Sequence, residues 1–417
     1  MKNSGIEWIE GLPETWQEIP NRYLFIDHSV KVGESWKDYQ LLSLTTSGVK
    51  EKDVNAGGGK VPDSYENYQT VEIGDMIFCL FDLDCSAVFS GLSNYNGMIT
   101  SAYDVFMPNS KYLNNLYADY WFQYVFSNRY YKMYSKNIRY TVTTEMFKSI
   151  LTPIPPLDEQ RKIGEFLLEK DKQIAELIAN QQGQIEKLKE YKQSVITEAV
   201  TKGLDKSAPL KDSGIEWIGE IPAHWIKIKH KVLFKNLSIK GHGEATVLSL
   251  YRDYGVVPKD SRDDNHNVTS LDTDSYKYVQ PNDLVINKMK AWSGSIAITD
   301  YEGIVSPAYY TCKVNYKYIT KRFIHHYLRN KHLVGLYEMY SAGLREGQWD
   351  LSIDDFQSIE IAIPPTLEEQ DAIAKAIDEK CDSIDKLIAI KQEKIEKLQE
   401  YKKSLIYEYV TGKKEVV

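Results

Sequence analysis

A chain of 417 residues with 42% hydrophobic and 26% charged side chains exceeds one ordinary domain and can bury more than one core. No apolar run approaches the ~18 residues that span a bilayer, the polar opening MKNSGIEW lacks a secretion signal, and Cys79, Cys85, Cys312 and Cys381 show no metal-ligand spacing; a reducing cytoplasm without disulfides or zinc is expected. The formal charge of −8 excludes a uniformly basic chain, with 12 basic against 16 acidic residues in 14–155 and 18 against 16 in 223–364, so any phosphate contact would be local or shared with basic partners.

In chain order, the first motif is SGIEWIEGLPETW (Ser4–Trp16). A block of short β-branched and aromatic runs follows, among them Met76–Leu80, bounded by Gly, Asn and Asp. An aromatic stretch at Leu116–Phe126 reads as helical. The block ends at IPPLDEQ (Ile154–Gln160), where the proline pair stops a strand and a long helical pattern begins. That pattern closes with EKLKEYKQSVITEAVT (Glu186–Thr201). The order then starts again with SGIEWIGEIPAHW (Ser213–Trp225). Strand-like Leu284–Ile286 and Ser295–Ile298 and helical Arg322–Leu328 fill the second block. IPPTLEEQ (Ile363–Gln370) and EKLQEYKKSLIYEYVT (Glu396–Thr411) complete it.

The two halves are therefore one tandem repeat. Leu42-Ser43-Leu44 echoes Leu248-Ser249-Leu250, VEIGDMIF (Val71–Phe78) echoes VQPNDLVI (Val279–Ile286), and GMITSAY (Gly97–Tyr103) echoes GIVSPAY (Gly303–Tyr309), with offsets between 206 and 210. Junctions and helices match best, while the block interiors have diverged. One task performed on two different targets is the reading this pattern favours. It divides the chain into 1–155, 156–203, 204–364 and 365–417. The expected fold is mixed α/β in both blocks, with a long coiled-coil helix after each and a pseudo-two-fold arrangement.

Each helix repeats apolar residues at heptad steps. Leu167, Ile174, Leu188 and Val195 form the first stripe, interrupted by Gln181. Ile377, Ile384, Leu398 and Leu405 form the second, interrupted by Lys391. Ile163, Leu177, Ile178, Ile185, Ile373, Leu387, Ile388 and Ile395 are expected to widen them. Thr366 with Glu369 has the form of a capping box. An apolar stripe needs a partner, and antiparallel pairing of the two helices brings Gln181 and Lys391 together, with the blocks at opposite ends of a rod. Parallel pairing, or packing of each helix on its own block, are the alternatives.

Catalytic constellations are missing: no GxxxxGK[ST], HExxH or GxSxG occurs. The glycine cluster Gly57–Lys60 reads as a surface loop, and His325, His326 and His332 as structural residues. Asp82 and Asp84 begin a divalent-ion pattern without a third ligand. Binding features are stronger. RYYKMYSKNIRYT (Arg129–Thr141) carries Arg129, Lys132, Lys136 and Arg139 among tyrosines including Tyr140, with no acid. At the matching place MYSAGLREGQW (Met339–Trp349) carries Arg345, Gln348 and Trp349, and NKMKAWSG (Asn287–Gly294) adds Lys288, Lys290 and Trp292. Lys and Arg neutralise phosphates, Arg grips guanine with two hydrogen bonds, and Gln does the same for adenine.

The doubled SGIEWI…P…W, the doubled IPP…EQ, the EYK…VT helix ends and KMKAWSGSIAITDYEGIVSPAY (Lys288–Tyr309) together resemble the DNA-specificity subunit of type I restriction-modification systems, over essentially the whole chain. The resemblance implies two target-recognition domains separated by helical spacers, each reading one half of a split DNA site. It implies methyltransferase subunits that use S-adenosylmethionine, and translocating nuclease subunits that use ATP and magnesium, with no cofactor in this chain. The first block departs from the pattern, having CLFDLDCS (Cys79–Ser86) where KMKAWSG would be sought. A subunit of a type IIB-like system, a coiled-coil adaptor that binds proteins, and a self-sufficient enzyme are the competing readings. The four tryptophans of the doubled motif (Trp8, Trp16, Trp217, Trp225) are expected to anchor a junction at the helix ends.

Overall fold

The structure, a computed structural model, describes every residue except 29, 47, 54–63, 84, 85, 87, 136–139, 253, 263–272, 344–348 and 417. Close contacts divide the chain into two units: residues 1–181 with 393–417, and residues 182–392. In chain order the elements that position the site are β1 (Phe25–Asp27), β2 (Met76–Phe78), β3 (Ser90–Leu92), β4 (Asp104–Pro108), α1 (Asn115–Ser127) and α2 (Leu157–Lys202). The second copy supplies β5 (Phe234–Leu237), β6 (Asp283–Asn287), β7 (Ile296–Ile298), β8 (Tyr309–Val314), α3 (Lys321–Leu328), α4 (Lys331–Tyr340) and α5 (Leu367–Val410).

In the first unit the strand order is β1-β4-β2-β3, all antiparallel. In the second it is β5-β8-β6-β7, again antiparallel. Alternate side chains of a strand leave opposite faces, and here both faces are covered, which is why these strands read as apolar runs. Met76 and Phe78 face a core shared with Trp121 and Phe122 of α1. Ile77 and Val105 face a second core completed by Leu42 and Leu44. In the other unit Leu284 and Ile286 join Phe323 and Tyr327, while Val285 joins Leu248 and Leu250. The Leu-Ser-Leu echo is thus a hairpin strand that closes the second face. Gly97 and Gly303 explain their own echo: a Cβ at either would stand 2.3 Å from a backbone oxygen, Gln40 O or Thr246 O.

The long helices run antiparallel within each unit, as expected. In the first unit, Phe166 of α2 packs on Tyr409 of α5 at 4.6 Å between ring centres, and Asp171 pairs with Lys402 at 2.5 Å. In the second, Lys391 donates to Gln184, and Lys192 pairs with Asp385 at 2.6 Å. Leu167, Ile174, Ile377, Ile384 and Leu405 are buried, and Leu188, Val195 and Leu398 are half-buried. Leu177 and Leu387 do not widen the stripe: they are 46% and 48% exposed, one step outside a seam that continues through Ile178 and Ile388. Packing on the block is not an alternative to pairing. Ile163 and Leu167 also enter the first unit's block core, and Ile373 and Ile377 the second's. Gln181 is buried at 7% exposure, so this helix keeps a polar group in its seam. Among the described residues no helix is long and apolar enough to cross a membrane.

Candidate nucleic-acid interface

The doubled motifs form one junction, built twice. In the first unit Trp16 is fully buried and its indole N–H donates to Glu159 at 3.0 Å, at the start of α2. In the second, Trp225 donates to Glu369 at 2.9 Å, at the start of α5. The same rings lie against the glycines that follow the helix ends: Trp16 against Gly412, Trp225 against Gly203. Both glycines have positive φ, 69° and 73°, the left-handed conformation that ends helices. The next residue of the motif, Gln160 or Gln370, is wholly buried. Gln160 accepts from Asn114 N at 2.8 Å and donates to Tyr112 O and Pro155 O; Gln370 does the same with Thr320 N, Tyr318 O and Pro364 O. Each glutamine thereby ties the long helix to the N-terminus of α1 or α3. The capping box at Thr366 is half formed: Thr366 accepts from Glu369 N, but the Glu369 carboxylate serves Trp225 and His224 instead.

Trp8 packs beneath the first candidate loop, and Trp217 meets Tyr327 of α3 edge-on and lies beside His332 of α4. Trp8 stacks on Tyr130 at 5.0 Å and meets Tyr131 and Tyr134 edge-on. Three tyrosines of the Arg129–Thr141 stretch are thus occupied in packing, Tyr131 completely. Arg129, with φ 54°, donates to Leu83 O at 2.9 Å, and Lys132 lies 4.3 Å over the ring of Tyr140. Tyr140, also left-handed at φ 47°, accepts through its backbone oxygen from Leu83 N. Arg129, Lys132 and Tyr140 therefore come together at the base of a loop whose tip, with Lys136 and Arg139, lies outside the described residues.

In the second unit the matching loop springs from the paired strands Ser341–Ala342 and Asp350–Leu351. Arg345 and Gln348 lie outside the described residues, and Trp349 stands at the base. Trp292, on the turn Ala291–Ser293, meets Trp349 edge-to-face at 5.8 Å and donates its N–H to Met289 O. Lys288 pairs with Asp350 at 2.6 Å, which raises its pKa first through that hydrogen bond. Lys290 is exposed. The structure brings Lys288, Lys290, Trp292 and Trp349 to one place, as two separate sequence stretches.

CLFDLDCS (Cys79–Ser86), the first block's departure from KMKAWSG, also lies at this loop base. Val142 N donates to Leu80 O at 2.9 Å, as Leu351 N donates to Lys288 O at 3.1 Å. CLFDLDCS thus holds the place of KMKAWSG. Between the last residues paired across β2–β3 and β6–β7 lie eleven residues (79–89) in one copy and nine (287–295) in the other, and this difference in length breaks a fixed offset.

His325 and His326 lie on α3. His326 bonds Asp378 at 2.7 Å, and Asp378 also accepts from Arg322 Nε at 3.1 Å. Burial pushes His325 down to about 4, with Arg329 adding to the effect, and burial lowers His326 as well, so both are neutral at pH 7. They border a cleft of about 1820 Å³ among α2, α3, α4 and α5 in the second unit. Among the described residues no cluster of three or more His, Cys, Asp or Glu could hold a metal ion.

Two copies of one scaffold, with loop bases of different content at equivalent places, define a protein with two related but non-identical units. The sequence model described as Type I restriction modification DNA specificity domain matches residues 95–187 and 234–400, more than half of the chain. The chain belongs to that family. It is 26% identical over 280 residues to the Putative type I restriction enzyme MjaX specificity subunit of Methanocaldococcus jannaschii, over 65% of this chain and 62% of that one. It is 36% identical over 90 residues to the Type I restriction enzyme MjaVIII specificity subunit of the same organism, over 22% of this chain and 20% of that one. In both cases the match spans less than two thirds of the relative. The fold is shared with the HsdS subunit from Thermoanaerobacter tengcongensis (TM-score 0.53, 15% identity, 96% of this chain and 98% of that one). It is shared more closely with a chain from a structure titled "Structural basis underlying complex assembly and conformational transition of the type I R-M system" (TM-score 0.68, 14% identity, 96% and 99%).

Proposed function

We propose that this chain is the DNA-specificity subunit of a type I restriction-modification complex in the cytoplasm, each unit reading one half of a split site. The observation that carries this is the duplicated scaffold presenting different loops at one equivalent place. Half-site contacts are assigned to Arg129, Lys132, Lys136, Arg139 and Tyr140 in one copy. In the other they are assigned to Lys288, Lys290, Trp292, Arg345, Gln348 and Trp349. Cations bind phosphates and, with Gln348, base edges, while the tryptophans supply contact area. The chain itself performs no chemistry in this reading. Two methyltransferase subunits bring S-adenosylmethionine, and nuclease-translocase subunits bring ATP and magnesium. A chain that is net acidic would depend on such partners for part of the phosphate neutralisation.

The long helices set the gap between half-sites, since each passes from one unit into the other. A gap near one turn of duplex, about 34 Å, suits two readers on one face. The test is to add one helical turn at equivalent points of α2 and α5 and to map methylated adenines in the host genome. The expected result is a longer unspecified gap between unchanged half-sites. Altered half-sites would refute the ruler, and binding insensitive to salt would favour a protein adaptor instead.

A further inference from the structure

The matched strand connections carry opposite charge at one position. Phe78 pairs with Asp104 in β2–β4 as Ile286 pairs with Tyr310 in β6–β8. Counting forward from these strands, Leu80 falls on Lys288, as the equivalent hydrogen bonds from Val142 and Leu351 also show. Asp82 then falls on Lys290. By this count one copy carries a carboxylate and the other an ammonium two residues beyond the last matched hydrogen bond, on backbones of different conformation (φ 51° and −130°).

Asp82 has φ 51° and its backbone oxygen accepts from Ser86 N at 2.8 Å. A left-handed turn accounts for Asp or Asn here, since both tolerate that conformation. It does not account for the charge. Among the described residues no hydrogen bond or ion pair holds the Asp82 carboxylate, which is only half-buried. Its neighbour Arg129 is directed to Leu83 O. Leu83, Arg129 and Tyr140 join this connection to the base of the candidate loop, so Asp82 stands beside the residues assigned to DNA.

A carboxylate at such an interface is repelled by every phosphate. Asp350 is held there by Lys288; a carboxylate with no such cation is favourable where it accepts from a base amino group. In the major groove cytosine offers its N4 amino group, whereas the adenine N6 amino group adjoins the acceptor N7, which repels a carboxylate's second oxygen. A lysine in the same place donates to guanine O6 and N7. We infer that Asp82 and Lys290 are counterpart base-reading residues, Asp82 accepting from a cytosine in one half-site and Lys290 donating to a guanine in the other. The assignment rests on the DNA-specificity reading above.

The test uses the full chain as it assembles in its host, selecting from duplex DNA of randomised sequence. The unsubstituted chain should fix a cytosine at one position of one half-site. D82N keeps a residue that tolerates the left-handed turn but replaces the pure acceptor; it should weaken that cytosine preference by about 10-fold and change no other position. D82K should move the preference to guanine there, and K290A should relax one position of the other half-site only. Thermal melting of each variant confirms folding. If D82N and D82K both fold and select unaltered half-sites, or weaken all sequences equally, Asp82 is a turn residue and the assignment is wrong. If the unsubstituted chain selects no split sequence, the DNA-specificity reading itself fails.

Discussion

Asn21 and His230 occupy one place in the two copies and differ in what acid does to them. Both are wholly buried. Asn21 donates to Phe147 O at 3.0 Å and accepts from Thr152 at 2.7 Å. His230 Nδ1 lies 3.0 Å from Phe356 O, which fixes the proton on Nδ1, while Nε2 is buried with no partner among the described residues. Burial pushes the imidazole down to about 3. The unfolded chain takes up this proton near pH 6.5 and the folded chain does not until about pH 3. The contribution of the neutral ring to stability is therefore present above pH 6.5 and declines as pH falls through that window, by on the order of 1 kcal/mol per pH unit. The double variant H230N/I361T rebuilds the first copy's arrangement, since Ile361 stands where Thr152 does. Melting temperatures at pH 7 and pH 5 should drop less in the double variant than in the unsubstituted chain. Equal drops would mean that His230 does not set the acid response.

Leu167 and Leu177 separate what heptad spacing reveals from what it leaves open. L167A removes a side chain buried between α2, α5 and the block, and should cost about 2–4 kcal/mol. L177A, at a site 46% exposed, should cost less than about 0.5 kcal/mol. Chemical denaturation of both variants checks this, and comparable losses would contradict the seam described above. Periodicity made the helices and most of the buried stripe legible, and the matching polar interruptions Gln181 and Lys391 favoured antiparallel over parallel pairing. Periodicity could not place Leu177, because the residues flanking a seam differ only in rotation about the helix. The roles of Glu159, Gln160, Glu369 and Gln370 were likewise out of reach. Their motif was plain, but their partners Trp16, Asn114, Trp225 and Thr320 lie tens of residues away or more and are fixed only by the fold. The candidate loops were visible as basic stretches. CLFDLDCS could be placed where KMKAWSG was sought, but its residues could not be matched one to one, because the connection is two residues longer and carries acids in place of lysines.

Neither the start nor the end of this chain is peripheral to the first unit, whereas the second unit is one continuous stretch. Residues 393–417 bring Leu405, Ile406 and Val410 into the first unit's core and none into the second's. They also supply Gly412 against Trp16, and Val410 O, which accepts from the Tyr117 hydroxyl at 3.4 Å. Three large buried side chains are worth roughly 6 kcal/mol at ~2 kcal/mol each, comparable to the whole stability of a typical domain. A chain ending at Gln392 should therefore lose the first unit and keep the second. Amide hydrogen exchange reads the two separately: protection at Ile77 and Val105 should collapse, and protection at Val285 and Thr311 should persist. On the proposed function, the same truncation should erase selection of one half-site while the other remains readable in a randomised pool. Collapse of protection in both sheets would show that the units fold as one body and that the contact division has no thermodynamic counterpart. Persistence in both would show that the packing of Trp16 and Tyr117 on the end of α5 carries little of the first unit's stability.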